Sequence, residues 1–334
     1  MPSKFKLVGV DARGDYKISA WQSEISDQIY KFILDRLPKN ETILAKSAQH
    51  HFALQGKMLR AKMALHAAST LKIDATSAMH WAVAVEVLHN ASLIHDDISD
   101  ASTHRRGQSS INHKFGSDMA LCLGDWMVAK AFELASRNHS HGGQLAALLA
   151  KAMQDTCSGQ SSDVKQSRCA TLSEWQTIAR GKTAPLLAAP IKGAAISADL
   201  ETNLNRVDEL VALCGLAYQG RNDINDIVPS THRSCDLDGR KPNLVVSLYA
   251  DTDEAHKQCF HQWYTSQDQD CVRKWQKSIA SSDAIATANE FVDQWLEQAD
   301  LLVSLLPQQL QSVASGLISS VKLTAVLEQQ EQTA

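Results

Sequence analysis

The chain has 334 residues, of which 44% are hydrophobic and 21% are charged, a composition typical of a globular protein with a large core. The net charge of -4 gives no reason to expect nucleic acid as a partner, and no run of about 18 apolar residues predicts a membrane span. Seven cysteines without a CxxC pair, and an amino terminus without a signal-peptide core, favour a cytoplasmic protein with reduced thiols.

The first predicted elements are an irregular arm at residues 1–20 and a helix that follows it. Apolar residues recur at helical spacing from Ile25 to Leu37, and Pro38 ends the pattern. The next helical pattern is continuous over residues 45–70, which predicts one long second helix.

A third helix is predicted from an N-cap at Asp74 or Thr76 to about Ser102. It is apolar on more than one face, which is typical of a central helix. No strand alternation or hairpin signal persists along the chain, so residues 21–334 are predicted to form a single all-α domain. The remaining helices are predicted at residues 117–136, 143–163, 172–198, 205–228 and 240–250, and through the C-terminal part of the chain.

Charges of both signs gather at the end of the third helix, in the segment DDISDASTHRR. Asp96 and Asp100 are four residues apart and so lie on one helical face, with Asp97 about 100° round. These like charges destabilise a bare helix, and a divalent cation would offset their repulsion. Arg105 and Arg106 carry planar guanidinium groups that match phosphate oxygens. The segment therefore predicts a site for a polyanion, bound together with a cation.

A second oxygen-rich helical face occurs in the segment YQGRNDINDIV. Its members are hard oxygen ligands with no cysteine or HExxH motif nearby, so Mg²⁺ is favoured over zinc. Taken alone, either acidic patch is equally consistent with a solvated helix face. The apolar helices that lead into both patches favour burial and weaken that alternative. The members of the second face are Gln219, Asn222, Asp223 and Asp226.

Further polar groups lie elsewhere, and each is weak evidence by itself. Lys57 and Arg60 are three residues apart on one predicted helical face. His89 lies two turns, about 10 Å, before the first aspartate on the same face, although a lone helical histidine is more often a core residue. Lys182 and Thr183 begin an apolar segment, where an ordinary surface pair is the simpler interpretation.

Taken in order, seven sequence elements resemble the trans-isoprenyl diphosphate synthases, the polyprenyl synthetase family. The resemblance covers nearly the whole chain, and the order makes it far more specific than DDxxD alone. The elements are GKMLR at Gly56–Arg60, HNASLIHDDISD followed by RRG at His89–Gly107, GD at Gly124–Asp125, GQSSD at Gly159–Asp163, GKT at Gly181–Thr183, the second acidic motif at Tyr218–Asp226, and CDLDGRKPNLVVSLYA at Cys235–Ala250.

The resemblance implies an all-α bundle of the isoprenoid synthase type around a deep apolar cavity, usually a homodimer, with the two acidic motifs facing each other at its mouth. It implies Mg²⁺ as the cofactor, about three ions per active site, and isopentenyl diphosphate and an allylic diphosphate of C5 to C15 as substrates. The implied metal ligands are Asp96, Asp97, Asp100, Asn222, Asp223 and Asp226. The implied catalytic contacts to the allylic diphosphate are Arg105, Lys182, Thr183 and Gln219. The implied isopentenyl contacts are Lys57, Arg60, His89 and Arg106, and Arg240 is a further substrate-binding candidate.

Two departures from the family pattern concern the allylic half of the site. Asn222 stands where the family usually has an aspartate, so weaker binding of one ion is expected. The loop after Asp226 reaches Asp236 in ten residues and lacks the family's GK, so Arg240 or Lys241 is expected to cover the later lysine position. A relative that prenylates another acceptor, a cyclase, and a low-activity partner subunit stay open as alternatives, although a cyclase would not need the isopentenyl contacts.

Product length is predicted from the residues that precede the first acidic motif. Ser92 and Ala91, four and five positions before Asp96, are small, whereas an aromatic residue here closes the cavity early in the family. Leu88, or Trp81 about 22 Å back along the helix, is expected to form the floor. A product of C20 or longer is therefore expected.

Overall fold

The computed structural model describes residues 18–163, 168–200, 202–228, 233–251, 254–266, 268 and 270–333. Most of the predicted arm, residues 1–17, lies outside this part of the chain, so the arm and the boundary of the domain stay predictions. The described helices are α1 (Ile18–Leu34), α2 (Ile43–Phe52), α3 (Leu59–Thr70), α4 (Ala75–Ser99), α5 (Ile111–Phe115), α6 (Ser117–Ala135), α7 (Gly142–Asp163), α8 (Leu172–Ser197), α9 (Leu204–Ile227), α10 (Cys235–Gly239), α11 (Leu244–Ala250), α12 (Glu254–Ser266), α13 (Val272–Ala280), α14 (Ala284–Val303) and α15 (Gln308–Thr333).

These helices confirm the predicted all-α class, and they form two compact units. The first unit contains the described residues up to Lys151 together with residues 189–202, and the second contains residues 152–188 and the rest of the chain. In the first unit, α4 packs mainly against α6 and α3; in the second, α9 packs mainly against α14. None of the helices in the described part of the chain is long and apolar enough to cross a membrane.

Helix α4 is the central element of the first unit. Its start confirms the Asp74 alternative, because the Asp74 carboxylate accepts hydrogen bonds from the amides of Thr76 (3.1 Å) and Ser77 (2.9 Å). Eight consecutive residues, 81–88, are buried, as expected for a helix that is apolar all round. The helix ends at Ser99, slightly before the predicted end.

The predicted second helix over residues 45–70 is wrong as one element, because it is broken into α2 and α3. The break lies at residues 53–58, where Met58 adopts a left-handed conformation with φ of 49°. Met58 gives α3 no side-chain cap, so its first amides need other partners. Apolar spacing continues across the break, and Gly56 was the one local signal for it.

A short hairpin follows α4, although no hairpin was predicted. Strand β1 (His104–Arg105) pairs antiparallel with β2 (Gln108–Ser109). The two turn residues, Arg106 and Gly107, both have positive φ (54° and 77°), the conformation of a type I′ turn. The strands are only two residues long, which is too short to show an alternating pattern.

Close backbone packing ties α4 to the end of α8 within the first unit. The Trp81 indole Nε1 donates to the carbonyl of Pro190 at 3.0 Å. A Cβ on Gly193 would overlap the Trp81 ring. Only glycine at position 193 therefore lets the two helices approach this closely.

We expect Gly193→Ala to lower the free energy of unfolding by about 1–3 kcal/mol, because the new methyl overpacks the site against the buried indole. Equilibrium urea unfolding measures this change. Gly316→Ala is the matched control: Gly316 is an exposed α15 glycine whose added methyl would meet no atom within 4 Å, and alanine there should stabilise by up to about 1 kcal/mol. Equal effects of the two substitutions would contradict the close packing.

Candidate active site

The aspartates at the end of α4 have different surroundings. Asp97 is 2% exposed, and Arg105 binds it with Nη2 at 2.5 Å and Nε at 3.0 Å from Oδ1. Asp96 and Asp100 are half-buried, and the Asp96 Oδ2 lies 3.9 Å from Arg105 Nη2. Asp97 therefore anchors Arg105, whereas Asp96 and Asp100 keep part of their surface open to solvent.

The hairpin sends its two arginines to different partners. Arg105 returns to α4, while Arg106 Nη2 donates to Asn90 Oδ1 at 3.4 Å. A Cβ on Gly56 would lie 2.7 Å from Arg106 Nη2. The glycine of the GKMLR element thus makes room for the guanidinium, and the hairpin brings Arg106 to the start of α3.

Arg106 and Arg60 share their surroundings with His89. Burial lowers the pKa of His89 well below its ordinary value, and the nearby charges of Arg60 and Arg106 lower it further. His89 is therefore neutral at pH 7 and offers one donor and one acceptor. All four predicted isopentenyl contacts belong to the first unit. Arg60, His89 and Arg106 share their surroundings there, whereas Lys57 is exposed just before α3.

The GD element fixes α6 against α4 near the first aspartates. A Cβ on Gly124 would overlap the His95 ring, and His95 Nε2 lies 3.4 Å from Asp125 Oδ1. The absence of a side chain at Gly124 therefore lets the His95 ring pack directly on the α6 backbone.

In the second unit, Asp223 is buried inside a set of donors. It is 1% exposed, and its carboxylate accepts hydrogen bonds from the Trp175 indole (2.7 Å), the Leu244 amide (2.7 Å) and Gln219 Nε2 (2.8 Å). Burial raises the pKa of Asp223 well above its ordinary value, and the neighbouring Asp236 carboxylate adds to this rise.

Asp223 was predicted as a metal ligand, and that role stays a prediction. With both oxygens engaged below the surface, the carboxylate orients Gln219 and holds α11 rather than facing solvent. Asn222, next to it, is half-buried. Asp226 is also half-buried, and it accepts from the amides of Cys235 (2.9 Å) and Asp236 (3.3 Å) and from the Ser234 hydroxyl.

Three glycines set the position of the GKT element. A Cβ on Gly159 of α7 would overlap the backbone of Gly181 and Lys182 on α8. A Cβ on Gly215 of α9 would meet Thr183 Cγ2 at 3.4 Å. Close approach of α7, α8 and α9 therefore places Thr183 against α9, one helical turn before Gln219.

Arg240, the further substrate-binding candidate, is held by contacts inside the second unit, and its predicted role stays a prediction. It is 1% exposed, and its guanidinium donates to the carbonyls of Tyr264 (3.0 Å), Asp268 (2.9 Å) and Leu237. It stacks over the Trp263 ring at 4.0 Å. Arg240 thus ties segments of the second unit together. The other candidate for the lysine position, Lys241, is half-buried. Residues 229–232 of the shortened loop lie outside the described residues.

The buried residues that hold the candidate site residues in place were not predicted from the sequence. Glu86 and Asn90 of α4 were not predicted as site residues, although a buried carboxylate is a signal for a cationic partner. Trp175 was not predicted either, and only its contact to Asp223 reveals a polar role. Asn243 Nδ2 donates to Asp236 Oδ2 at 2.9 Å and to the Asp223 carbonyl at 3.2 Å.

The residues present suit Mg²⁺ better than a metal that needs a complete protein cage. Across the described ranges, no three histidine, cysteine, aspartate or glutamate side chains come together closely enough to hold a metal ion. Asp96 and Asp100 offer carboxylate oxygens at one helix end, and the remaining ligands would come from phosphate and water. Mg²⁺ prefers this arrangement of one or two carboxylates with phosphate oxygens and water.

Comparison with known proteins decides the family. The profile of the family described as polyprenyl synthetase matches residues 41–281. This chain belongs to the polyprenyl synthetase family. The assignment confirms the predicted resemblance and the predicted class of enzyme, a trans-prenyltransferase.

The family members that the chain resembles make products of several lengths according to their names. A short chain isoprenyl diphosphate synthase from Methanocaldococcus jannaschii is 30% identical over 224 residues, 64% of this chain and 68% of that protein. Heptaprenyl diphosphate synthase component 2 from Geobacillus stearothermophilus is 28% identical over 319 residues, 92% of this chain and 98% of that protein.

Among solved structures, the geranylgeranyl pyrophosphate synthetase from Pyrococcus horikoshii has a TM-score of 0.78 and 26% identity, and covers 90% of this chain and 97% of that chain. This similarity confirms the predicted isoprenoid synthase type of all-α fold.

We expect Trp175→Phe to destabilise the protein by about 1–3 kcal/mol more than Trp263→Phe, as measured by urea unfolding. Both substitutions remove the same ring area from a buried position. Trp175→Phe also removes a donor to the buried Asp223, whereas Trp263 Nε1 is buried with no hydrogen-bond partner among the described residues. Equal losses would mean that the hydrogen bond to Asp223 contributes nothing.

Proposed function

We propose that this protein condenses isopentenyl diphosphate with an allylic diphosphate, which lengthens the allylic chain by one isoprene unit. The observation that carries this proposal is the gathering of Arg60, Arg106 and neutral His89 beside the helix that ends in Asp96 and Asp100. A synthase needs two separate anion sites, one for each diphosphate. The first unit offers a metal-compatible carboxylate pair and, two turns earlier, a group with two guanidinium side chains, a neutral histidine and the buried Glu86.

The isopentenyl diphosphate is assigned to Lys57, Arg60, His89 and Arg106. Guanidinium groups bind phosphate oxygens with paired hydrogen bonds, and a neutral histidine donates one more without adding charge. No metal is needed for this substrate, whose C–O bond stays intact.

For the allylic diphosphate, Arg105 is the proposed contact in the first unit, with Asp96 and Asp100 as the residues that would hold Mg²⁺. Lys182, Thr183 and Gln219 of the second unit stay contacts that the family resemblance implies. Bound Mg²⁺ supplies positive charge that neutralises the diphosphate and favours its departure. Arg105 is already fixed by Asp97, so its fork is oriented before substrate binds. Each well-placed charge contact of this kind contributes roughly 3 kcal/mol to lowering a barrier.

The reaction breaks the allylic C–O bond, and the diphosphate leaves with the electron pair. The double bond of isopentenyl diphosphate supplies the electrons of the new carbon–carbon bond, and loss of a proton restores a double bond. Water would capture the allylic cation as an alcohol, so it must be excluded. The buried apolar residues of α4 before Asp96 suit this requirement.

The second acidic motif is assigned a weaker metal-binding role than in the family pattern. Asn222 supplies an uncharged oxygen. The carboxylate of Asp226 already accepts hydrogen bonds from three protein donors, and the buried Asp223 supports both residues from below the surface. Four expectations stay predictions: that this motif faces the first one across the substrate, the deep cavity, the homodimer and the number of Mg²⁺ ions.

Incubation of the pure protein with Mg²⁺, labelled isopentenyl diphosphate and each of the C5, C10 and C15 allylic diphosphates tests the proposal. We expect longer diphosphates with at least one primer, and none from an Asp96→Ala preparation made in the same way. No incorporation with any primer would overturn the proposal.

The relation to a protein named as a component of heptaprenyl diphosphate synthase favours one second candidate, a subunit that needs a partner chain for full activity. It predicts weak or absent incorporation by the pure protein. Activity would then appear on addition of a separately purified partner chain. Strong activity of the pure protein would exclude this candidate.

Asn222→Asp should lower the Mg²⁺ concentration for half-maximal rate, roughly three- to tenfold, because added ligand charge tightens metal binding. A Mg²⁺ titration of the initial rate measures the change. Asn225→Asp adds the same charge on the same helix outside the ligand positions, and it should shift the titration much less. Equal shifts would assign the effect to the general electrostatic field.

We infer a product of C20 or longer from the small side chains of Ala91 and Ser92 on α4. Ala91 is fully buried, and farther back Leu88 is buried while Trp81 is fixed by its hydrogen bond to Pro190. These two larger residues are the proposed floor of the product cavity.

Ala91→Phe should shorten the product, because the ring would fill the space that the growing chain occupies. Chromatography of the dephosphorylated products measures chain length, and Ala91→Ser, which conserves volume, should leave it unchanged. An unaltered product distribution in a folded Ala91→Phe protein would refute the assignment of this helix face to the cavity.

A further inference from the structure

A buried carboxylate lies beneath the cationic group of the first unit, and no step of the reaction uses it. Glu86 is 3% exposed and lies one turn before His89 on α4. Its Oε2 accepts a hydrogen bond from the backbone amide of Ala61 at 3.1 Å. Its Oε1 lies 3.4 Å from Asn90 Nδ2. An unpaired buried carboxylate would be costly, so its partners define its role.

The first of these partners is the start of α3. Ala61 is the third residue of that helix, whose N-cap, Met58, provides no side-chain hydrogen bond. The Glu86 carboxylate takes the place of the missing cap from another helix, and its negative charge favours the positive end of the α3 dipole. This contact fixes the first turn of α3, which contains Arg60.

The second partner is Asn90, which links Glu86 to the hairpin. Asn90 Nδ2 donates to the Glu86 backbone carbonyl at 2.8 Å and to the Glu86 carboxylate Oε1 at 3.4 Å. Asn90 Oδ1 accepts from Arg106 Nη2 at 3.4 Å and faces His51 Nε2 at 3.0 Å. Burial lowers the pKa of His51 to about 4, so this histidine is neutral and brings no charge to the group. A single amide thus connects Glu86 to the second arginine.

The charges of Glu86, Arg60 and Arg106 explain what these contacts do. Burial raises the pKa of Glu86, and the nearby charges of Arg60 and Arg106 oppose that rise. In its ionised form, one carboxylate near two guanidinium groups leaves a net positive charge for an incoming anion.

We propose that Glu86 is a positioning residue for the isopentenyl diphosphate site: it holds Arg60 through the amino end of α3 and Arg106 through Asn90, so that both guanidinium groups are oriented before the diphosphate binds. Glu86 does not touch the substrate. The inference rests on the proposed function, since it concerns the site assigned there to isopentenyl diphosphate.

The test compares the steady-state kinetics of wild type and Glu86→Gln with both substrates varied. Glutamine keeps the size and an acceptor for Ala61 but removes the charge. We expect the KM for isopentenyl diphosphate to rise at least tenfold, while the KM for the allylic diphosphate changes less than twofold and kcat less than threefold. Glu86→Asp, which keeps the charge, should recover part of the loss.

Two further variants separate positioning from general stability. Glu133→Gln neutralises a half-exposed carboxylate on α6 of the same unit, paired with Lys130 and Arg137, and should leave both KM values unchanged. The double variant Glu86→Gln/Arg106→Gln should raise the KM by less than the product of the single effects, because Glu86 acts through Arg106.

The outcomes are distinct. If wild type fails to incorporate isopentenyl diphosphate, the proposed function fails. If wild type is active and folded Glu86→Gln keeps its KM for isopentenyl diphosphate, or both KM values rise equally, the positioning role is overturned. If Glu86→Gln does not fold, Asn90→Ser decides: a selective rise of at least threefold in the isopentenyl KM supports the inference, and an unchanged KM overturns it.

Discussion

The burial of charge along one helix is the constraint on which the first unit depends. Helix α4 is surrounded by protein for most of its length, yet it carries Glu86, His89, Asp96 and Asp97, and Asp100 is its C-cap. Each buried charge has a specific partner: the α3 amide for Glu86, and Arg105 for Asp97. Because a buried carboxylate without a partner is costly, these pairs define where the neighbouring segments lie, and the site is built by the same contacts that stabilise the fold.

In the second unit, close backbone packing positions the candidate site residues. Glycines on α7, α8 and α9 bring the GKT element against the helix that carries the second acidic motif. The buried Asp223 then joins α8, α9 and the start of α11 through Trp175, Gln219 and Leu244. The neighbouring Asn222, by contrast, is half-buried and carries an uncharged amide.

The sequence predicted the helices well where each periodic apolar pattern corresponds to a single helix with a single end. The Asp74 cap and the extents of α6 to α9 agree with the structure within about two residues. It failed at Met58, because a left-handed residue leaves no trace in apolar spacing. The metal and substrate roles of the aspartates and arginines stay predictions, and the contacts that hold Arg240 inside the second unit could not be predicted, because charge alone does not tell a substrate ligand from a structural cation. Glu86 and Trp175 were not predicted, since their partners are distant in sequence.

Two neighbouring arginines, Arg105 and Arg106, reach separate anchors because a tight turn with two left-handed residues divides them. In a hairpin of this kind, the direction of a side chain depends on its position along the chain rather than on its residue type. The segment should therefore accept many substitutions in its outer positions, but a single inserted or deleted residue would exchange the directions of the two guanidinium groups. Chain length between α4 and α5, more than composition, is what keeps the anchors of Arg105 and Arg106 apart.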